Sequence, residues 1–497
     1  MNTKVLFFLC ITAFLSRLLL LFQDISLWWD SFVYLSMAKY LASAGTLGLW
    51  EHIRPPLLPF LLSVGELVGN AIFFNFVLQV LLSLGCCIFT FLIAKHHFSA
   101  RAGIFAFILV SWSSIFFFLT SQAYTEILAV FFILLGYLLY LKKYFFSSGL
   151  SLGLAFLAKF PSGMFFLIFL LILFFTFRSH FFVPSLFLSA GFFLPLLPYF
   201  LLNFIFYGSI VLPFVEGNNV IHQVLGCNTL FKKSWWYYVE ALWHAQPLLY
   251  LSVIGFFLSF KKLFKKLYSK QIIFKHLLAS RNSKGEIDVR KIVAFAMRKN
   301  GILILSFVVP LVYFTALPCK DERYILFFLP FIALFAGEGI AWITQGIKKS
   351  FCGVAILILF VSILFAHADV HERAVLSKNS SEDQVAHLFS EEHFSGTLLT
   401  THPRLATLHQ GRVVTAYYPV YNNTLALQLL DTLLVLSQNN EHFIVYLDTC
   451  SGGMICPLWD AQCSAMNQEI FSFVKKNTKL IYQEETPRCT YLLGKSV

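Results

Sequence analysis

The chain has 497 residues, 58% hydrophobic and 12% charged, with a mean hydropathy of +0.75 and a net charge of +12. Soluble domains carry about 25% charged residues, so this composition excludes a soluble globular protein and fits one that crosses a membrane many times. The excess charge is local: twelve Lys/Arg stand against two acids over 261–300, but nine against thirteen after Ala368, with no nucleic-acid module around the basic block.

The amino end carries Lys4 and an apolar run to Phe22, with no small-residue cleavage site before Trp28, and reads as a retained signal anchor. Eleven apolar segments long enough to be read as spans follow from it, near 4–22, 71–94, 102–120, 127–141, 147–159, 162–177, 181–206, 247–260, 301–317, 324–345 and 351–367. The connections at 95–101, 142–144, 178–180, 261–300 and 348–349 are basic and therefore cytoplasmic, which puts the others outside. The amino end is then inside and the carboxyl end outside.

The first outer loop, 23–70, contains Asp30, Tyr34, Ala38 and Leu41 at i, i+4, i+8 and i+11. On a helix they share one face, and Gly45 ends it. Pro55 and Pro56 stiffen the chain behind Arg54, so a carboxylate and a guanidinium converge at the membrane–water boundary. Read from the residues alone, Asp30 serves equally well as a helix cap and Arg54 as a cation snorkelling to headgroups.

Further along, Arg17 sits inside the first apolar run, where a cation either snorkels or serves a site. Glu126 opens the fourth span, Lys159 stands two residues before Pro161, and Lys320, Arg323 and Tyr324 belong to "KDERY" between two spans. The aromatic stretch 232–244 suits either sugar stacking or an interfacial belt. His52, His222 and His244 are outside, beside Glu51 and Glu126, but no tight spacing supports a divalent metal there. No cofactor is called for, and glycine motifs for nucleotides are absent.

The part after 367 changes character. Strand-like runs "GTLLTT", "GRVVTAYY", "HFIVYLDT", "KLIYQEE" and "CTYLLG" alternate with helix-compatible stretches, which predicts a small α/β domain over 368–497. Its Cys450, Cys456, Cys463 and Cys489 favour one or two disulfides over a zinc site. Asn379 and Asn422 begin glycosylation sequons. The expected fold is thus an all-α polytopic membrane domain, 1–367, followed by a small extracytoplasmic α/β domain.

The loop pattern D-x3-Y-x3-A-x2-L-x3-G, followed by Arg54-Pro55-Pro56-Leu57, resembles the first outer loop of the GT-C superfamily of lipid-linked sugar transferases, in the protein O-mannosyltransferase and aminoarabinose-transferase branch. Arg17 sits where many relatives keep an arginine before this motif, and "YTEILAVFFILLGYLLY", "GLSLGLAFLAKFPSG" and "PCKDERYILFFLP" resemble later family elements in family order. One departure stands out: the family's acidic pair is Asp30-Ser31 here, so the second carboxylate is missing.

The resemblance implies a glycosyltransferase that moves a hexose, mannose-like, from a polyprenyl-phosphate carrier to an acceptor hydroxyl of a protein, glycan or lipid on the outer face, with inversion. It implies Asp30 as general base, and Arg54, Arg323, Lys320 and Arg17 at the donor phosphate, with Tyr34, Glu126, Lys159 and Tyr324 around the substrates. A plasma-membrane location is expected, or the endoplasmic reticulum in a eukaryote. A lipid-sugar flippase is the rival reading, expected to show paired half-repeats with broken helices. An inactive relative is the other, motivated by the missing acid.

Overall fold

The structure, a computed structural model, describes residues 3–23, 25–177, 181–220, 232–259, 301–345, 351–377, 381–391, 394, 396–415, 423–439, 441–449, 454, 461–485 and 490–496. The basic loop 261–300, His222, both sequon asparagines and Cys450, Cys456 and Cys489 lie outside the described residues, as does the Cys463 side chain. The expected disulfides therefore fall outside them too.

Every expected span falls on an apolar helix or a pair of helices, but the lengths differ from expectation. Among the described residues, three helices are long and apolar enough to cross a membrane: Lys4–Phe22, Ala71–His97 and Phe351–Val375. Two bent pairs bring the number to five: Phe182–Phe193 with Leu196–Tyr207, at 48°, and Tyr237–Ala245 with Pro247–Ser259, at 118°. The remaining segments are shorter apolar helices such as Thr125–Leu141, Phe145–Ala158 and Leu329–Ile343. Hydropathy sums over breaks that the backbone makes: the 102–120 segment splits into Ala100–Ser111 and Ser114–Leu119, with Ser113 extended between them. Pro195 and Pro247, each at the start of a second arm, mark the two bends.

Helix packing in this part uses small residues. Gly149 and Gly191 face each other's helix so closely that a Cβ on Gly149 would stand 2.0 Å from the Leu188 carbonyl oxygen, and one on Gly191 2.1 Å from that of Phe146. Van der Waals contact between backbones, rather than water exclusion, drives such pairing in lipid.

The first long loop, 23–70, contains two helices, Trp29–Ala42 and Leu57–Leu67. The first ends at a left-handed Gly45, φ +88°, whose N–H donates to the Tyr40 carbonyl. Both faces of the first helix are covered by protein: Asp30, Ser31 and every residue from Val33 to Lys39 are buried. What covers its outer side is the carboxyl-terminal domain.

That domain holds a five-stranded sheet, β1 (Thr397–Thr400), β2 (Val413–Thr415), β3 (Phe443–Asp448), β4 (Thr478–Glu485) and β5 (Thr490–Ser496), in the order β2-β1-β3-β5-β4. The β2-β1-β3 pairings are parallel and the two involving β5 antiparallel. Alternation along the strands divides the core. Leu399, Phe443, Val445 and Leu447 pack on helices Asn423–Gln438 and Ala461–Asn477. Leu398, Ile444 and Tyr446 pack on Ser381–Glu391 and Pro403–Leu408. The short Pro403–Leu408 helix then lies against Trp29–Ala42.

Candidate active site

Asp30 occupies the first turn of its helix, where backbone N–H groups favour a negative charge. Its two carboxylate oxygens face two different guanidiniums. Arg54 Nη1 lies 2.9 Å from Oδ1, and Arg323 Nη1 donates to Oδ2. Arg54 also reaches Glu51, Nε to Oε2 at 2.6 Å. Arg323 lies in the short 3-10 helix Glu322–Phe327, whose cap is Asp321; the Asp321 carboxylate accepts from the Arg323 N–H and stands 3.0 Å from its Nε.

A second acid closes the cluster from behind. Glu126, fully buried in the first turn of Thr125–Leu141, pairs with Lys159 at 2.8 Å and stands 3.9 Å from Arg323 Nε. Lys159 is delivered by the extended residue that ends Phe145–Ala158. The Arg323 guanidinium lies 5.1 Å from the Tyr124 ring and 5.7 Å from that of Tyr324, which stacks on Phe314. Tyr34 is buried one turn after Asp30, with the Arg54 guanidinium 5.9 Å from its ring. The Tyr34 hydroxyl has no hydrogen-bond partner among the described residues.

The electrostatics follow from this crowding. Burial alone raises the Asp30 pKa, but Arg323 and then Arg54 outweigh it and hold the carboxyl well below the usual carboxylate range. Asp321 goes the other way: burial raises its pKa more than Arg323 lowers it.

The model of the family described as dolichyl-phosphate-mannose-protein mannosyltransferase matches residues 53–201. Over its whole length the chain superposes on solved structures of two enzymes. ArnT from Cupriavidus metallidurans bound to undecaprenyl phosphate gives a TM-score of 0.62 at 13% identity, covering 99% of this chain and 98% of that one. The chain has the GT-C glycosyltransferase fold. The same enzyme in the apo state gives 0.58 at 12% identity, with 99% and 97% covered. The oligosaccharyltransferase of Archaeoglobus fulgidus, tethered to an acceptor peptide containing a sequon, gives 0.54 at 10% identity, covering 100% of this chain and 74% of that one. No curated protein matches the sequence.

Within this GT-C fold the expected site residues divide into two groups. Asp30, Tyr34, Arg54, Glu126, Lys159, Arg323 and Tyr324 come together. Arg17 and Lys320 make their contacts elsewhere. Arg17 donates to the Ser83 hydroxyl at 2.8 Å, to Ser111 through hydroxyl and carbonyl, and to the Ala13 carbonyl, between the Phe116 and Phe117 rings. Lys320 Nζ donates to the carbonyls of Leu317 and Lys233. His52 pairs with Glu216, and His244 offers its carbonyl to Ser114, so these two histidines do not converge on one point. In the 232–244 stretch Trp235, Trp236 and Trp243 are exposed, while Tyr238 is buried against Phe328.

Ser31, the residue after Asp30, has a definite partner set. Its buried hydroxyl donates to Gln122 Oε1 and accepts from the Ala123 N–H. Gln122 in turn takes the Trp28 N–H and donates to the Ser26 carbonyl. The serine thus staples the start of the Trp29–Ala42 helix to the turn that delivers Tyr124 and Glu126. Glu51 and Asp321 are the members of the charge cluster that sequence reasoning left out of the site; the Glu51–Arg54 spacing of one helical turn was the available signal.

Proposed function

We propose that the chain transfers a hexose from a polyprenyl-phosphate carrier to an acceptor hydroxyl at the outer face of the membrane, with inversion at the anomeric carbon. What supports this reading is the bridge Arg54–Asp30–Arg323, with Lys159 and the Tyr34 hydroxyl beside it. Guanidinium groups match phosphate oxygens in pairs and keep their charge at neutral pH. The carboxylate meanwhile sits where it can meet an acceptor proton. The family model described by dolichyl-phosphate-mannose and the undecaprenyl phosphate bound to ArnT suggest the donor class.

The charge balance dictates an order of events. Four carboxylates, Asp30, Glu51, Glu126 and Asp321, surround three cations, Arg54, Lys159 and Arg323. A phosphate cannot enter such a cluster without taking cations from a carboxylate. Arg54 and Arg323 therefore turn from Asp30 to the donor phosphate as it binds. Losing them raises the basicity of Asp30 toward the range in which a general base is effective, worth about 10²–10⁴-fold in rate. The acceptor proton goes to Asp30, the acceptor oxygen attacks the anomeric carbon, and the carrier phosphate leaves with its charge held by the two arginines.

Transfer of label from a panel of polyprenyl-phosphate hexoses to peptide, glycan and lipid acceptors in proteoliposomes tests the proposal. Transfer from at least one donor supports it. Movement of the carrier across the bilayer with no transfer from any donor would sink it in favour of a flippase.

A further inference from the structure

In an open α/β sheet, ligands bind outside the carboxyl ends of the strands where the strand order reverses. Here that place is between β1 and β3. The chain leaves β1 for β2 on one side and returns to β3 on the other. His402 follows β1, Asp448 ends β3, and Glu382 reaches them from the Ser381–Glu391 helix; one ligand atom of each lies within 4.8 Å of the others. The triad has the composition of a metal site, but the His402 ring argues otherwise. Its Nδ1 accepts the Arg404 N–H at 3.1 Å, so the ring proton sits on Nε2, which faces Glu382 Oε2 at 3.3 Å. An Nε2 that carries a proton offers a cation no lone pair.

The crevice is instead filled from the membrane side. The Trp29 ring stands 4.5 Å from that of His402 at 71°, edge to face, and Trp29 is the residue before Asp30. Seven residues after Phe32, whose ring lies 6.3 Å from that of His402, Lys39 sits buried in the helix's last turn. Its ammonium donates to the carbonyls of Thr407, at 2.9 Å, and His409, at 2.6 Å, at the end of the Pro403–Leu408 helix. Between the anchors the Arg404 guanidinium lies 5.5 Å from the Phe32 ring. Beneath His402 the floor is fixed: Thr400 Oγ1 takes the His402 N–H, and Thr401 Oγ1 takes that of Asp448.

We propose that the outer domain uses its strand-end crevice as a clamp on the Trp29–Ala42 helix, with His402 and Lys39 as positioning residues that set the height and rotation of Asp30. His402 locks the end that carries Asp30, and Lys39 locks the other. His402 is held by partners within the domain and Lys39 by two of the domain's carbonyls, so the helix has one seat rather than several. The inference rests on the proposed function only in naming Asp30 as the group being placed.

The test is backbone hydrogen exchange of the full chain in nanodiscs, comparing wild type with His402→Ala, His402→Asn and Lys39→Met. Asparagine keeps the acceptor for the Arg404 N–H but loses the ring against Trp29 and the reach to Glu382. The expected result is at least tenfold faster exchange of amides 31–36 in both His402 variants, and of amides 38–43 in Lys39→Met, with β3 and β5 as protected as in wild type. Where transfer is measurable, kcat falls at least tenfold and KM for the carrier stays within threefold. Wild-type exchange in His402→Asn would overturn the clamp, because the histidine would then act only as a helix cap. One equivalent of zinc in the purified protein, lost in His402→Ala, would also overturn it. The exchange experiment needs no substrate, so failure to find transfer in wild type would count against the function and leave the clamp to be judged by exchange.

Discussion

Asp30 and Arg323, 293 residues apart in sequence, are joined directly, guanidinium to carboxylate, while Arg54 holds the other oxygen of the same group. Replacing Arg323 by Met leaves Asp30 with one cation and takes one of two guanidiniums from the donor phosphate. The expected outcome is a carrier affinity weakened by at least tenfold, measured as undecaprenyl phosphate binding in detergent. Arg54→Met is expected to act alike, and both together more than either alone.

The depressed Asp30 pKa fixes a pH window. A carboxyl whose folded pKa lies below its unfolded value, about 3.9, stabilises the fold above that value, and the contribution is lost as pH falls toward the folded pKa. The contribution of Asp30 to thermal stability is therefore flat from pH 8 to 5 and declines below about 4. In Asp30→Asn the decline is expected to be smaller. Scanning unfolding temperature against pH for the two proteins checks it.

Lys159 and Glu126 are expected to depend on each other. Glu126 is wholly buried, so Lys159→Met leaves its charge facing only the more distant Arg323, at 3.9 Å, and costs up to about 3–5 kcal/mol. Glu126→Gln in the same chain removes that charge and is expected to restore most of the loss without restoring transfer. Unfolding measurements on the two single variants and the double variant separate stability from activity.

Arg17 is expected to matter for the fold alone. Its donors are taken up by Ser83, Ser111 and Ala13. Arg17→Met strands those acceptors in the bundle, so the unfolding temperature falls, yet affinity for undecaprenyl phosphate stays within twofold of wild type. A loss of affinity beyond tenfold, with the protein still folded, would return Arg17 to the phosphate site.

Restoring the family's second acid is expected to harm the protein. In Ser31→Asp a carboxylate would face Gln122 Oε1, an acceptor, and the neighbouring Asp30. Lower stability and lower transfer are expected, rather than a gain; higher transfer would mean that the missing acid limits catalysis.

The sequence made the two-part architecture legible because its signals are strong and local. Long apolar runs mark the membrane part, and five alternating runs in the tail became five strands. The breaks at Ser113, Pro195 and Pro247 were less visible, since hydropathy averages over them. Asp30 and Arg54 could be paired by their neighbourhood in one loop. Their meeting with Arg323 could not, because no local pattern says which distant cation will share a carboxylate. The burial of the Trp29–Ala42 helix on both sides was invisible for a related reason. Its polar residues Ser36 and Lys39 look solvent-facing in sequence, and only the docked domain supplies the carbonyls of Pro403, Thr407 and His409 that they bind. Glu51 and Asp321 read as local partners of neighbouring arginines, which they are; that the arginines lead onward to Asp30 is a property of the fold.

The central claim is that Asp30 is the base of a sugar transfer whose donor phosphate takes over Arg54 and Arg323. The most direct measurement compares wild type and Asp30→Asn for single-turnover transfer from a radiolabelled polyprenyl-phosphate hexose, with carrier binding measured on the same preparations. The account predicts a rate reduced at least a hundredfold, with binding retained or tightened, since the asparagine no longer competes for the two guanidiniums. Transfer at the wild-type rate in Asp30→Asn would contradict it.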